Sequence, residues 1–171
     1  MTISRTVEDL KQCGADVKWV NSENIHITLK FLGDTEESLL PEIQQRLSKK
    51  LFNYKPFCIR ISGVGSFPPG KHPRVIWVGT EESSSLKALQ AEVESEMEAL
   101  GYAAEERPFL AHITLGRVKS GRRLTEVARK LADSRETAIG NFEVRSIKLM
   151  KSELGRGGPV YTCLAELPLN N

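Results

Sequence analysis

The tetrapeptide His-Ile-Thr-Leu occurs twice in this chain, at residues 26–29 and 112–115. The chain has only three histidines, and two of them hold the same place in this repeat. Successive side chains of a strand point to opposite faces of a sheet, so His26 and Thr28 share one face, as do His112 and Thr114. The repeat therefore predicts two strands, each with an apolar face for the core and a His-Thr pair on the other face.

Hydrophobic periodicity and turn residues predict the other elements. Helices are predicted for residues 4–13, 39–50, 83–100 and 124–131, and strands for residues 16–20, 25–32, 57–61, 75–79, 109–116, 142–150 and 160–167. The strands at 16–20 and 25–32 form a predicted hairpin through residues 21–24, and residues 155–159 join the last two strands as another. Asp34 and Glu37 resemble a capping box, and residues 63–73 form a predicted loop rich in Gly and Pro.

This mixture of hairpins and helices favours an α+β fold with antiparallel sheets over a doubly wound parallel sheet. A length of 171 residues and 19.1 kDa fits one domain or two small lobes. The two similar halves predict one domain over residues 1–171 made of two antiparallel sheet lobes. In this predicted fold the helices lie outside the sheets, a central cleft separates the two lobes, and a pseudo-twofold axis relates one lobe to the other. Each lobe is expected to contribute one His-Ile-Thr-Leu strand.

Composition limits the environment and the partners of the chain. It is 40% apolar and 27% charged, as in ordinary globular proteins. The net charge of +2 is too small for a general nucleic-acid coat, so an anionic partner should meet a local basic patch. Cys13, Cys58 and Cys163 are odd in number and form no CxxC pair, which indicates a reducing compartment. No signal peptide or membrane span is evident, and a soluble, cytoplasmic protein is expected.

Two histidines in one cleft can supply both proton transfers needed to hydrolyse a phosphodiester. A neutral imidazole can take a proton from water, and a protonated one can give a proton to the departing alkoxide. Thr28 and Thr114 can donate hydrogen bonds to the phosphate. Arg117 can add charge-assisted bonds, but strict alternation places it on the core side, so it reaches the cleft only if Gly116 ends or bends the strand. The identical tetrads leave open which histidine is the acid.

Other chemically active side chains are interpreted as structural or solvated. Lys30 and Lys119 are read as solvated charges, and His72, in a Pro-rich loop, as a surface residue. The three cysteines are read as small core residues, and Trp19 and Trp77 as core aromatics.

These residues resemble the 2H phosphoesterase superfamily, in particular the LigT-type RNA 2′,3′-cyclic phosphodiesterases, also called 2′-5′ RNA ligases. The resemblance extends over nearly the whole chain from Gly14 onward. Besides the two tetrads it rests on residues 17–20, 29–33, 67–68, 73–77, 107–109, 154–155 and 158–159. A lone His-x-Thr is weak evidence, whereas this ordered set is specific.

The resemblance implies a bilobal α+β fold and metal-independent hydrolysis of an RNA 2′,3′-cyclic phosphate to a 2′-phosphomonoester, without a cofactor. It also implies ATP-independent 2′-5′ ligation as the reverse chemistry. By the same resemblance His26 is the proton donor to O3′ and His112 the proton acceptor from water, while Thr28, Thr114 and Arg117 hold the phosphate. The expected partners are RNA ends or nucleotides carrying the cyclic phosphate, with no membrane and no metal.

The start of the chain departs from the family pattern. Such proteins usually open with an apolar strand carrying an aromatic, and here Met1 stands almost inside the first helix. Either the true start lies upstream or this member lacks the strand, and its loss would remove a base-contacting aromatic and weaken RNA affinity. A monomer is expected, with a dimer through an exposed sheet edge as the alternative.

Two other functions stay open at this point. One is a nucleotide- or RNA-end-binding module of the same fold with little or no turnover. The other is a metal-dependent hydrolase with both histidines as ligands, although two protein ligands are too few for a typical site. The sequence does not select among tRNA halves, other RNA ends and small cyclic phosphates as the substrate.

Overall fold

The computed structural model describes residues 2–155 and 158–170. Its helices are α1 (Ile3–Lys11), α2 (Leu40–Leu51), α3 (Ser84–Ala99) and α4 (Leu124–Asp133). Its strands are β1 (Val17–Trp19), β2 (Phe57–Phe67), β3 (Val75–Thr80), β4 (His112–Val118), β5 (Ala138–Val144), β6 (Ser146–Gly155) and β7 (Gly158–Pro168). Short 3-10 turns occupy Ser22–Asn24 and Glu37–Leu39. No helix within the described residues is long and apolar enough to span a membrane.

The chain divides into two compact units. The first comprises Met1–Thr28, Ile59–Ser83 and Leu110–Phe142, and the second comprises Leu29–Cys58, Ser84–Phe109 and Glu143–Asn171. Both His-Thr pairs therefore belong to the first unit. This corrects the prediction that each lobe contributes one tetrad strand. Within the first unit the two tetrads are joined by an antiparallel bridge between Ile27 and Ile113.

The first unit is built on a five-stranded sheet with the order β1-β4-β3-β2-β5. The pairs β1/β4, β4/β3 and β3/β2 are antiparallel. One face of the central strands is fully apolar: Ile76 and Val78 on β3 and Leu115 on β4 are at most 1% exposed. Within β4 the buried Ile113 and Leu115 alternate with His112 and Thr114, as the periodicity of the second tetrad predicted.

The second unit joins α2, α3 and the antiparallel β6–β7 ribbon. Helix α2 packs against both α3 and β7. The two helices agree with the predicted helices at 39–50 and 83–100. The prediction of a capping box was wrong, because a 3-10 turn precedes α2 and neither Asp34 nor Glu37 caps the helix. The predicted last hairpin is present in β6 and β7, although residues 156 and 157 of its turn lie outside the described residues.

The predicted hairpin of residues 16–20 and 25–32 was also wrong. Strand β1 pairs with β4 instead, and the first tetrad makes one isolated antiparallel bridge, between Ile27 and Ile113 of β4. Both segments use the same edge of β4, since the Val20 amide donates to the Leu115 carbonyl between them. The intervening residues leave the sheet as the 3-10 turn Ser22–Asn24. The turn residues thus interrupt a segment that runs along one edge of β4, and the chain does not reverse direction there to form a hairpin.

Two other boundaries differ from the prediction. Residues 63–67, placed in a loop by their Gly and Pro content, continue β2 through a bulge between Ser62 and Val64. Gly63 allows this because it takes a φ of +72°, a conformation that favours glycine. The predicted strand 142–150 is divided between β5 and β6.

Candidate active site on the first unit

The second tetrad lies within β4, where the strand fixes the directions of its side chains. His112 and Thr114 alternate with the buried Ile113 and Leu115 and are themselves partly exposed. The His112 Nδ1 lies 2.8 Å from the Leu110 carbonyl oxygen. A carbonyl can only accept, so Nδ1 carries a proton, and in the neutral ring Nε2 carries the lone pair.

The first tetrad repeats this local geometry outside a regular strand. The His26 Nδ1 lies 2.7 Å from the carbonyl oxygen of Asn24, again two residues earlier in the chain. The turn Ser22–Asn24 presents that carbonyl. The two copies are therefore alike in structure as well as in sequence: a backbone carbonyl orients each imidazole, and in the neutral ring the lone pair lies on Nε2.

The Ile27–Ile113 bridge brings the two copies together. In an antiparallel arrangement around this pair, His26 stands opposite Thr114 and Thr28 stands opposite His112. Side chains opposite each other have Cβ atoms about 4.5–5.5 Å apart, and diagonal ones about 7–8 Å apart. The four polar side chains thus share one face of the sheet, with the two histidines on a diagonal.

Arg117 joins this face because β4 contains a bulge. Trp77 of β3 pairs with Thr114, but its neighbour Ile76 pairs with Gly116, so β4 has one extra residue there. The bulge reverses the alternation beyond Thr114. Arg117 then pairs with Val75, which shares the face of Trp77 and Thr114. The sequence required that Gly116 end or bend the strand for Arg117 to leave the core side, and the register shift of β4 lies directly before Gly116.

An aromatic wall, defined as Phe67 and Trp77, stands against His112. The Phe67 ring lies edge-on to the imidazole, with centroids 5.1 Å apart and planes at 86°. The Trp77 centroid is 6.3 Å from the imidazole and 5.2 Å from Phe67. These contacts restrain the His112 ring from the side, while the Leu110 carbonyl fixes its Nδ1 edge.

Sequence reasoning missed this role of Trp77, which it placed in the core. The register of β3 against β4 contradicts that placement. Trp77 pairs with Thr114 and alternates with the fully buried Ile76 and Val78, so it lies on the His-Thr face. A Cβ on Gly65, directly opposite on β2, would lie 2.4 Å from Trp77 Cζ2. Glycine at that position is what lets the indole lie across β2, and this was the signal available in the sequence.

The residues that follow the first tetrad are anchored within the second unit. The Lys30 ammonium pairs with the Glu94 carboxylate of α3 and donates to the Ala103 carbonyl at 2.8 Å. The Lys30 side chain is only 5% exposed, so its interpretation as a solvated charge was wrong. Burial opposes ionisation of Glu94, but the Lys30 ammonium and the Glu105 amide outweigh it and hold the pKa of Glu94 below its ordinary value.

The remaining predicted residues have simpler surroundings. His72 and Lys119 are exposed, as expected. Cys58 and Cys163 are exposed and Cys13 is partly exposed, so the cysteines are not core residues as predicted. No group of three or more His, Cys, Asp or Glu side chains is placed to hold a metal ion within residues 2–155 and 158–170. A cavity of about 430 Å³ is lined by Cys13, Lys130 and their neighbours and contains neither tetrad.

The family model of the 2′-5′ RNA ligase superfamily matches residues 2–156. The chain belongs to this superfamily. Superfamily relatives include the RNA 2′,3′-cyclic phosphodiesterase of Archaeoglobus fulgidus, 41% identical over 145 residues, which are 85% of this chain and 80% of the relative. The protein of the same name from Methanothermobacter thermautotrophicus is 37% identical over 160 residues, 94% of this chain and 86% of that one.

Solved structures agree with membership of the superfamily. A Thermus thermophilus protein superposes with a TM-score of 0.74 at 27% identity, over 97% of this chain and 92% of the other. E. coli LigT in its apo form superposes with a TM-score of 0.69 at 22% identity, over 99% of this chain and 91% of LigT. At that identity LigT is evidence for the fold alone. The predicted α+β class and the resemblance to LigT-type proteins are thereby confirmed.

Proposed function

We propose that this chain hydrolyses the terminal 2′,3′-cyclic phosphate of RNA to a 2′-phosphomonoester, using two histidines and no metal ion. RNA 2′,3′-cyclic phosphodiesterase is the name of relatives that are 33–41% identical over most of the chain. The observation that carries the mechanism is the Ile27–Ile113 bridge. It sets the two His-Thr pairs side by side on one face, with both Nε2 atoms as the reactive nitrogens.

His112 is the proposed base. Its neutral Nε2 accepts a proton from water as the water oxygen forms a bond to phosphorus. A base must aim its lone pair at one water position, and the Leu110 carbonyl together with the Phe67 ring restrains the imidazole in this way. The resemblance to the superfamily supports the same assignment.

His26 is the proposed acid. Its protonated Nε2 gives a proton to O3′ as the P–O3′ bond breaks, while the P–O2′ bond stays intact. The product therefore carries a 2′-phosphate and a free 3′-hydroxyl. After one turnover His26 is neutral and His112 is protonated, and proton exchange with solvent restores both. The exposure of His26 suits that exchange.

Thr28, Thr114 and Arg117 are the proposed phosphate-binding groups. The threonine hydroxyls stand opposite the two histidines and can donate to the non-bridging oxygens without titrating. The Arg117 guanidinium, on the same face through the bulge of β4, offsets the charge that builds up on the phosphate in the transition state.

Three alanine variants test the proposal, since the chain has one histidine outside the site. Steady-state hydrolysis of an RNA ending in a 2′,3′-cyclic phosphate is measured in EDTA, and the phosphate position of the product is identified by chromatography. His26→Ala and His112→Ala should each lower kcat by about 10²- to 10⁴-fold, the usual worth of one general acid or base. His72→Ala, exposed in its loop, should match the wild type. The wild-type pH–rate profile should be bell-shaped.

Distinct outcomes separate the alternatives. Full activity in either tetrad variant contradicts the two-histidine mechanism, and a 3′-phosphate product contradicts the direction of ring opening. Loss of wild-type activity in EDTA supports a metal-dependent hydrolase. If calorimetry detects binding of a nucleotide 2′-monophosphate to folded wild-type protein that gives no product, the chain is a binding module.

The same site can join RNA ends when a 5′-hydroxyl replaces water. His112 then takes the proton of that hydroxyl, and opening of the cyclic phosphate leaves a 2′-5′ linkage. The cyclic ester is already activated, so no ATP is needed. Incubating an RNA with a cyclic phosphate end and an RNA with a 5′-hydroxyl end should give a ligated product that ribonucleases specific for 3′-5′ bonds do not cleave at the junction.

A further inference from the structure

Lys18 of β1 stands directly opposite Arg117 of β4. Residues opposite each other in an antiparallel pair place their side chains on the same face. Arg117 lies on the face of Thr114 and His112 because of the bulge, so Lys18 lies on that face as well. Both cationic side chains are exposed.

Lys18 and Arg117 lie further along the sheet than the two histidines. Arg117 follows Thr114 by three residues, and a strand rises about 3.3 Å per residue. The pair therefore begins up to about 10 Å along β4 from the tetrads. A phosphate held between Thr28 and Thr114 can be reached by the long Arg117 side chain, whereas Lys18 lies one strand further out.

A phosphate bound at Lys18 gains a charge-assisted interaction with its ammonium. An RNA strand that enters with its cyclic phosphate at the tetrads has its next phosphodiester one nucleotide away, on the 5′ side.

We propose that Lys18, one strand beyond the Arg117 that contacts the reacting phosphate, forms a second anion subsite that binds the phosphodiester on the 5′ side of the terminal nucleotide. This inference rests on the proposed function. It predicts that the substrate is an oligonucleotide end and that a cyclic mononucleotide, which lacks this phosphate, is a poorer ligand and substrate.

Binding of product-type ligands tests the subsite without turnover. A short RNA ending in a 2′-phosphate and a nucleoside 2′-phosphate are compared by calorimetry at several salt concentrations. Lys18→Gln should weaken binding of the RNA about fivefold more than binding of the mononucleotide, the worth of one charge at contact distance in water. It should also make the slope of log K against log salt for the RNA less negative by about 0.7, as expected for one lost contact to a single strand.

Two further variants serve as controls. Lys18→Arg should keep both the RNA preference and the salt slope, since it keeps the charge. Lys11→Gln changes the net charge equally but lies on α1, where Lys11 pairs with Glu8, and should leave both ligands unaffected. Equal weakening of both ligands by Lys18→Gln, or an unchanged RNA preference, overturns the subsite. Failure of the wild type to turn over a cyclic phosphate overturns only the proposed function, because the binding comparison is independent of it.

Discussion

The substitution Gly65→Ala should disable the site without changing any residue that touches substrate. A Cβ at this position would lie 2.4 Å from Cζ2 and 2.5 Å from Cη2 of Trp77, whereas ordinary contacts begin at 3.4 Å. The rigid indole must therefore retreat by about 1 Å. No acceptor among the described residues lies within hydrogen-bonding distance of the Trp77 Nε1, so only packing resists that movement.

The displacement should reach His112 through the aromatic wall. Trp77 contacts both Phe67 and His112, and Phe67 itself packs edge-on against the imidazole. A shift of about 1 Å in a catalytic group costs on the order of 10²-fold in rate, so we expect kcat for the cyclic phosphate to fall about 100-fold. Overpacking typically costs about 1–3 kcal/mol, and the free energy of unfolding should fall by about that amount.

Urea unfolding and steady-state kinetics measured on the same preparation give both quantities. Gly121→Ala is the matched control, because no atom lies within 4 Å of a Cβ built there. It should keep wild-type stability and kcat. If Gly65→Ala keeps wild-type kcat while losing stability, the aromatic wall does not position His112, and its contact with the imidazole is only packing.

Two further predictions concern the second unit and the direction of proton transfer. Glu94→Gln leaves the buried Lys30 ammonium without its counter-charge and should lower the free energy of unfolding by about 3 kcal/mol at neutral pH. Because the pKa of Glu94 is lower in the folded state, its ionic stabilisation is complete above the unfolded pKa and is lost as pH falls through the folded one. The difference between wild type and variant in urea unfolding should therefore shrink in acid, and a constant difference contradicts this origin. With bis(p-nitrophenyl) phosphate, whose leaving group needs no proton, His26→Ala should lose far less kcat/KM than His112→Ala; equal losses contradict the acid assignment.

The sequence predicted what depends on local periodicity. Helices α2 and α3 and the face occupied by His112 and Thr114 follow from patterns within one segment. The pairing partner of β1 could not be predicted in this way, because residues 16–20 and 25–32 are close in sequence and their pattern indicates a hairpin. The structure instead lines both segments along the edge of β4, a choice made by contacts between distant residues. Trp77 was misplaced for a related reason, since a tryptophan in an apolar strand does not reveal which face is buried.

The two tetrads also limit what any local pattern can decide. Their sequences are identical, and each Nδ1 bonds to the carbonyl two residues earlier, so both neutral rings have the lone pair on Nε2. A difference between acid and base must then come from surroundings that the tetrads do not encode. One such difference is visible: Phe67 and Trp77, brought from β2 and β3 by strand pairing, restrain His112. The kinetic contrast between Gly65→Ala and Gly121→Ala therefore tests the non-local part of the site, the part that the repeated motif could not specify.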